Sequence, residues 1–423
     1  MSPHLDTAIE VAGLRFKSPV LVSSSEYTSQ LSLIKDLAQR NIGGMVTKTF
    51  TTSPRHRIRV RPYQFPLRTF GKGYREGPCL LSLAAPHVLD PPEFIELLFR
   101  SAEICHGASL KLIASYFEDP LDTASWMQTA RTLEEAGADM LELNFSSPSA
   151  VAVFAKRSDI STQIIRRIKE EVPIPVGLKL SPTLEPLESL VESWAEAGLD
   201  FITAHNAPSG IIIDVENQVP FGAPSIGGYV LGRAFLPYSL ARVVRMRRVV
   251  DIPIIGVGGV YDWSDALQYL LCGCPLVGVG SAMYFHGAEL LDKIHEGLTN
   301  WMRRKGYPSI DAFRGRVFPL IRSSGALTDK EPYPFTLPPD APYVPIIEDG
   351  KCTRCGLCEK TCIYDVFEIR DGKSRIRVDE SKCWSCGFCV GICPSGAIEL
   401  RRRGRKDMVI WKNEGMAEPF RDR

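Results

Sequence analysis

The chain has 423 residues, 44% of them apolar and 23% charged, with 50 basic side chains against 49 acidic ones and a formal net charge of +1. That length and apolar content support two or three packed domains rather than a disordered chain, and the charge balance removes the basic footprint that wholesale nucleic-acid binding needs. The longest apolar stretches, such as 270–279, fall far short of the roughly 18 to 20 residues of a membrane span, and the opening Met-Ser-Pro-His-Leu-Asp has neither the basic start nor the apolar run of a signal peptide. A cytoplasmic protein without a membrane span is expected.

From about residue 20 to 300, short apolar runs rich in β-branched residues alternate with amphipathic stretches, the pattern of a parallel sheet with crossover helices. Eight runs are predicted strands: 20–24, 46–50, 110–115, 140–145, 176–180, 201–205, 253–257 and 276–280. Stretches 126–136, 162–171, 187–197 and 263–271 carry apolar residues at three-to-four spacing and often stop at glycine, as at Ala136-Gly137 and Ala197-Gly198. Eight such units predict an α/β fold, a (β/α)8 barrel over residues 1–310. A further run at 80–84 belongs to an excursion between the second and third strands. Residues 311–345 turn proline-rich and are read as an extended linker. A small α+β cysteine module follows over 346–402, and residues 403–423 form a tail. The basic run Arg401 to Lys406 at their junction is read as a solvated end, with a docking surface as the alternative.

The chain has 12 cysteines; four (Cys79, Cys105, Cys272, Cys274) are scattered, and the other eight lie between Cys352 and Cys393. In a long chain without a secretory start, they do not describe a disulfide scaffold. Cys352-x2-Cys355-x2-Cys358-x3-Cys362 is repeated as Cys383-x2-Cys386-x2-Cys389-x3-Cys393-Pro394. A cubane [4Fe-4S] cluster takes three thiolates from such a loop and the fourth from a distance, and in two-cluster ferredoxins the fourth cysteine of each run serves the other cluster. One cluster is therefore assigned Cys352, Cys355, Cys358 and Cys393, and the second Cys383, Cys386, Cys389 and Cys362. Paired zinc sites would use Cys-x2-Cys pairs and have no need of the third and fourth cysteines. Gly356 and Gly387, at matched positions, let the backbone approach the cluster, and Ile363 stands where a proline would follow Cys362. The module resembles bacterial-type two-cluster ferredoxins, carriers of single electrons. Its fusion to a barrel implies a second redox centre able to split a two-electron step, with flavin the commonest.

Polar residues fall at the C-terminal ends of the predicted strands, where barrel active sites are built: Lys48, Asn144, Lys179 and Asn206, with Gly258-Gly259 and Gly280-Ser281 after the seventh and eighth. Each alone could be structural; their agreement across six strand ends is the signal. Thr47-Lys48-Thr49, Asn144-Phe-Ser-Ser147-Pro148, Lys179-Leu-Ser-Pro182, Asn206, Gly227-Gly228, Gly256-Val-Gly-Gly259 and Val279-Gly-Ser281 resemble the FMN barrel of dihydroorotate dehydrogenases. With the ferredoxin module, the arrangement is similar to the barrel-plus-ferredoxin half of dihydropyrimidine dehydrogenase over about residues 10 to 400. The resemblance implies an oxidoreductase acting on a C-C bond conjugated to a carbonyl. Ser147 would move the proton, with Asn144 and Lys48 as the other candidate catalytic residues. It implies FMN held by Ser24, Lys48, Asn144, Lys179, Asn206, Gly227, Gly228, Gly258, Gly259, Gly280 and Ser281, with Lys179 against the flavin ring and the glycine turns on the phosphate. Ser147 as a plain turn cap before Pro148 is the structural alternative.

Departures bear on the substrate. Ser82, Ser149 and Ala207 stand where the family places ring-binding side chains, so a simple pyrimidine is not expected. Arg55, Arg57, Arg59 and Arg61 alternate, which puts four guanidiniums on one face if the segment is extended; a solvated face is the ordinary account, an anionic small-molecule substrate or partner the other. No Gly-x-Gly-x-x-Gly opens a helix after a strand, and Gly71-x-Gly73 lacks the third spacing, so a separate FAD- and NAD(P)H-binding subunit, or a free ferredoxin, is the expected electron partner in a homo- or hetero-oligomer. Two alternatives stand beside this reading: a dihydropyrimidine dehydrogenase catalytic subunit, and a non-catalytic flavin and iron-sulfur electron-transfer subunit.

Overall fold

The computed structural model describes residues 5–57, 64–66, 79–83, 86–220, 228–322, 341–369, 376–412 and 415–416. The chain divides into two compact units, Met1–Ile321 and Arg322–Arg423.

In the first unit, eight parallel strands close into a barrel in chain order: β1 (Val20–Val22), β2 (Gly44–Val46), β3 (Lys111–Tyr116), β4 (Met140–Asn144), β5 (Val176–Lys179), β6 (Phe201–Thr203), β7 (Ile254–Val257) and β8 (Leu276–Val279). Val277 pairs with Val20 to seal the seam. These are the eight predicted runs, and they are almost wholly buried, as parallel strands covered on both faces must be. The largest displacement is at β2, predicted at 46–50 and observed two residues earlier. Gly43 precedes it and Gly44 opens it, and a Cβ at these positions would lie 2.1 Å from the Ser18 carbonyl oxygen and 2.4 Å from that of Lys111, respectively. Close backbone approach, which strand propensity does not register, starts the strand there.

Helices cover the barrel where local chemistry starts and stops them. Asp90 and Glu93 form a capping box ahead of helix Pro91–Gly107, and Asp262 and Asp265 do the same for Trp263–Leu271. Gly137 and Gly198, at φ 96° and 95°, follow helices Thr123–Glu135 and Leu187–Glu196 in the left-handed region, as the predicted stops require. Trp126 and Trp194 are fully buried between these helices and the strands. The run predicted at 80–84 is strand Cys79–Ser82; it joins Gln64–Pro66, Gly228–Gly232 and Ser209–Gly210 in an antiparallel sheet. Residues 311–321, read as the start of a linker, instead belong to the barrel unit. Gly315 and Val317 donate their N–H groups to Leu270 and Leu271 at the end of a barrel helix.

The second unit pairs β9 (Tyr343–Ile347) with β12 (Ile398–Arg402), and β12 with β13 (Arg405–Lys412); β10 (Phe367–Ile369) and β11 (Ile376–Val378) form a hairpin. The linker reading therefore ran into β9. The basic run is likewise a β-hairpin and not a free end: Arg401 pairs with Glu399 at 2.6 Å, Arg403 donates to the carbonyls of Ala341 and Glu380, and Arg405 pairs with Asp407. The cysteine repeat is also a backbone repeat. Arg354 and Ser385 share φ of 57° and 58°, Gly356 and Gly387 both have 78°, and Asp365 and Gly396 have 51° and 62°. Among the described residues no helix is long and apolar enough to cross a membrane.

Candidate active site and cysteine cluster

A cavity of about 550 Å³ opens at the C-terminal mouth of the barrel, where β-strand ends deliver side chains from different parts of the chain. Ser24, Lys48, Asn144, Ser147, Lys179, Asn206, Gly258, Gly259, Gly280 and Ser281 all line it. Of the remaining candidates, Gly227 lies outside the described residues, and Gly228 opens a strand of the antiparallel sheet and is not among the lining residues. That sheet supplies Leu80, Ser82, Val230 and Leu231 to the cavity wall. Ala207 also borders the cavity, while the side chain of Ser149 lies outside the described set.

Hydrogen bonds fix the polar side chains. Asn144 donates through Nδ2 to Thr49 Oγ1 (3.0 Å) and accepts at Oδ1 from Ser146 Oγ (2.5 Å). Asn206 donates to the same Ser146 hydroxyl (2.8 Å), and its own N–H reaches the Leu180 carbonyl. Each amide group has two N–H donors and spends one in this network, which leaves one to meet a ligand. Ser146 was passed over in the sequence, although it sits inside the motif that singled out Ser147. Ser147 Oγ accepts the N–H of Ala150 (3.1 Å) as the N-cap of helix Pro148–Phe154 and borders the cavity as well.

Charge in the cavity is arranged in pairs and singles. Lys48 lies two residues beyond β2 and pairs with Glu26 at 3.1 Å, both largely buried. Lys179 ends β5, is 8% exposed and has no ion-pair partner among the described residues. In the floor, Glu142 is buried with Oε2 accepting from Thr203 Oγ1 (2.6 Å), while Oε1 has no partner; Ser23 Oγ, on the wall, has none either. Buried polar atoms left open in this way are what a ligand-sized site presents before its ligand arrives. His205 is held at both nitrogens, Nδ1 to the Asn206 carbonyl (2.5 Å) and Nε2 to Ser239 Oγ (2.7 Å). Burial is the main cause that brings its pKa down to about 4, so the ring is neutral, with Nδ1 as the donor.

The glycine turns have a steric reason. Gly258 and Gly259 have φ of 104° and 72°; a Cβ on the first would lie 2.5 Å from Ser239 Oγ, and on the second 2.5 Å from the Leu236 backbone nitrogen. A Cβ at Gly278 would lie 2.3 Å from Ser23 Oγ. This is a cradle that tolerates only backbone, opposite the wall carrying Ser147.

Over its described part, Arg55 to Arg57, the arginine run is not the extended segment that was predicted. Pro54 seeds a 3-10 turn over Pro54–His56, so Arg55 does not continue an extended strand. Arg55 borders the cavity, and Arg57 turns away to the Leu89 carbonyl (3.1 Å). Arg59 and Arg61 lie outside the described residues, as do Gly71 and Gly73.

In the second unit, Cys352, Cys355, Cys358 and Cys393 surround one small void with Pro394, Ile347 and Ile398. Cys383, Cys386 and Cys362 are the thiols close enough to Cys389 to act on it electrostatically. The fourth cysteine of each run therefore stands with the other run's triplet. Burial pushes the Cys358 thiol up to about 11 and Cys389 up to about 12. At Cys393 burial acts upward too, but hydrogen bonds from Ser395 Oγ and the backbone prevail and lower it. Among the described residues no three His, Cys, Asp or Glu side chains form a group for a single metal ion; Cys352, Cys355, Cys358 and Cys393 line the walls of a void.

Comparison with known proteins supplies the family. Residues 108–302 match the family described as dihydroorotate dehydrogenase, and residues 351–397 match the 4Fe-4S dicluster domain. The chain carries a domain of the dihydroorotate dehydrogenase family and a 4Fe-4S dicluster domain. It is an oxidoreductase of the class acting on CH-CH groups. Relatives named as catalytic subunits of dihydroorotate dehydrogenase B (NAD(+)) include those of Petrotoga mobilis (24% identical over 316 residues, 74% of this chain and 100% of the relative). Those of Methanothermobacter thermautotrophicus (29% over 326 residues, 74% and 97%) and Pyrococcus abyssi (27% over 316 residues, 73% and 97%) are similar. Asn144, Ser147, Lys179, Asn206 and the glycine turns fall inside the matched barrel segment; Ser24 and Lys48 precede it.

Proposed function

We propose that the chain oxidises or reduces a C-C bond conjugated to a carbonyl at the barrel mouth and exchanges the electrons with a partner through two [4Fe-4S] clusters in the cysteine unit. The observation that carries this reading is the convergence of the strand-end residues on one cavity, with glycines at 258, 259 and 278 that leave no room for a side chain on one side and Ser147 on the other. The cavity suits FMN. Gly258, Gly259, Gly280 and Ser281 would hold the phosphate by backbone N–H groups, and Lys179 would lie against the ring. FMN supplies the ability to accept a hydride and return electrons singly.

The chain's own residues do the rest. Asn144 and Asn206 each turn their remaining N–H towards substrate or cofactor, with Ser146 fixing both orientations. Lys179 places a positive charge where reduction adds a negative one. Ser147 accepts the Ala150 N–H at its hydroxyl oxygen, which stabilises that oxygen when its proton departs. Lys48 is oriented by Glu26. Cys352, Cys355, Cys358 and Cys393 would hold one cluster, and Cys383, Cys386, Cys389 and Cys362 the other. The electron partner is a separate subunit or a free carrier such as ferredoxin. The cytoplasm is the compartment in which such thiols stay reduced. Ser82 and Ala207 at the cavity wall offer fewer amide contacts than a pyrimidine ring needs, so we place the substrate among other enones and enoates. The test is an anaerobic screen of enoates and pyrimidines against the dithionite-reduced protein, followed at the flavin band. Reoxidation by one of them supports the reading, and a flavin inert to all of them contradicts it.

A further inference from the structure

The antiparallel sheet beside the barrel mouth turns one face to the cavity, and its register decides which side chains that face carries. Tyr229 lies opposite Ser82 and Leu231 opposite Leu80, with Val230 opposite Leu81 between them. Residues paired across a ladder point to the same side, and successive residues along a strand to opposite sides. Tyr229, Ser82, Leu231 and Leu80 therefore share a face, and all of them line the cavity, whereas Leu81 does not. The Val230 side chain turns to the other face, where its Cγ2 lies 2.3 Å from the place a Cβ on Gly210 would take.

The strand that carries Tyr229 is tied to the chain leaving β6. Val230 donates its N–H to the Pro208 carbonyl (2.9 Å), and Tyr229 pairs with Ser209. Asn206, in the same stretch, donates to Ser146 in the motif that carries Ser147. The phenol is thereby held on the Asn206 and Ser147 side of the cavity.

Its hydroxyl is open. Tyr116 and Tyr269, buried in the barrel, each donate to a backbone carbonyl, as buried tyrosines generally do. Tyr229 makes no hydrogen bond among the described residues, while Ser82, on the same face, has a partner. Burial pushes the Tyr229 phenol above its ordinary value, so it keeps its proton at neutral pH.

Chemistry at a C=C bond conjugated to a carbonyl calls for a donor of this kind. Hydride from the reduced flavin adds at the β-carbon and sends the π-electron pair to the carbonyl oxygen. A proton taken up at the α-carbon draws that pair back, and oxidation runs the same steps in reverse. A hydrogen bond to the oxygen strengthens as its charge develops.

We infer that Tyr229 is a catalytic residue whose phenol O–H donates to the carbonyl oxygen of the substrate, with proton transfer left to Ser147. The inference rests on the proposal that this cavity holds FMN and an α,β-unsaturated carbonyl substrate. The experiment compares wild type with Tyr229→Phe, which removes one oxygen and keeps the ring, as full FMN-loaded chains with 2-cyclohexenone and orotate as probes. Affinity is read by titration at the oxidised flavin band, and rate by stopped-flow reoxidation of the dithionite-reduced protein. At least one probe should reoxidise the wild type. With that probe, Tyr229→Phe should keep its flavin and lose no more than about 10-fold in affinity, the worth of one neutral hydrogen bond. The reoxidation rate at saturation should fall by about 10² to 10³, the usual loss for one donor to a developing oxyanion. A rate loss no larger than the affinity loss overturns the inference, and so does loss of flavin, which would give Tyr229 a structural role. In both outcomes the wild type still reacts, so the proposed function stands; a wild-type flavin that neither probe reoxidises contradicts the inference and the proposed function together.

Discussion

Gly258→Ala puts a methyl group where the structure has room only for hydrogen. At φ 104° an L side chain is strained, at a cost of about 1 to 2 kcal/mol. The new Cβ would lie 2.5 Å from Ser239 Oγ and 3.2 Å from His205 Cε1. Ser239 cannot give way freely, since its hydroxyl lies 2.7 Å from His205 Nε2 and 2.9 Å from the Phe235 carbonyl. Losing one neutral hydrogen bond adds about 0.5 to 1.5 kcal/mol. The expected destabilisation is roughly 2 to 3 kcal/mol, read as a lower urea midpoint at unchanged slope, together with loss of FMN on gel filtration because the proposed phosphate turn is displaced. A change under about 0.5 kcal/mol with full flavin retention would refute both the steric argument and the assignment of this turn.

Ser147→Ala should keep FMN and iron yet slow the substrate half-reaction by about 10² to 10⁴, the usual contribution of a positioned acid or base; stopped-flow flavin absorbance reads it, and wild-type rates would move the role elsewhere. Cys393→Ser should damage the cluster that also uses Cys352, Cys355 and Cys358, leaving flavin bound but slowing transfer to an external acceptor; unchanged turnover after loss of a cluster takes the cysteine unit off the electron path. His205 is held neutral to about pH 4, below the roughly 6.5 of an unfolded histidine. In that window the unfolded chain binds the proton and the folded chain does not, so the contribution of His205 is complete above about pH 6.5 and declines as pH falls towards 4, by about 3 kcal/mol in total. Urea unfolding from pH 7 to 4.5 should show a shallower decline in His205→Gln, and parallel curves would contradict the assignment.

Most of the barrel was legible because parallel strands buried on both faces must read as short apolar runs, and because glycines at 137 and 198 stop helices by their backbone conformation. The cysteine unit was legible because ligand spacing is local: six of its eight ligand positions fall in two Cys-x2-Cys-x2-Cys triplets, and the matched φ values of Arg354 and Ser385 follow the same repeat. What escaped detection depends on contacts between distant segments. Glu26 meets Lys48 only because β1 and β2 lie side by side, and Ser239 supports His205 from a helix more than thirty residues away. Glu142 was not singled out, since a carboxylate within an apolar run gives no hint of whether its oxygens will find partners. The extended reading of the arginines failed at Pro54, where the fixed φ of proline favoured a turn. The basic run at 401–406 was read by charge, whereas its alternation with Glu399 and Asp407 favoured a paired hairpin.

The most direct measurement of the central claim is the cofactor content of the full chain after anaerobic purification, by flavin chromatography, iron and zinc analysis, and electron paramagnetic resonance after dithionite reduction. The account predicts one FMN and about eight irons per chain, with signals from two interacting [4Fe-4S] clusters. FAD in place of FMN, zinc in place of iron, or about four irons with a single isolated cluster would contradict it.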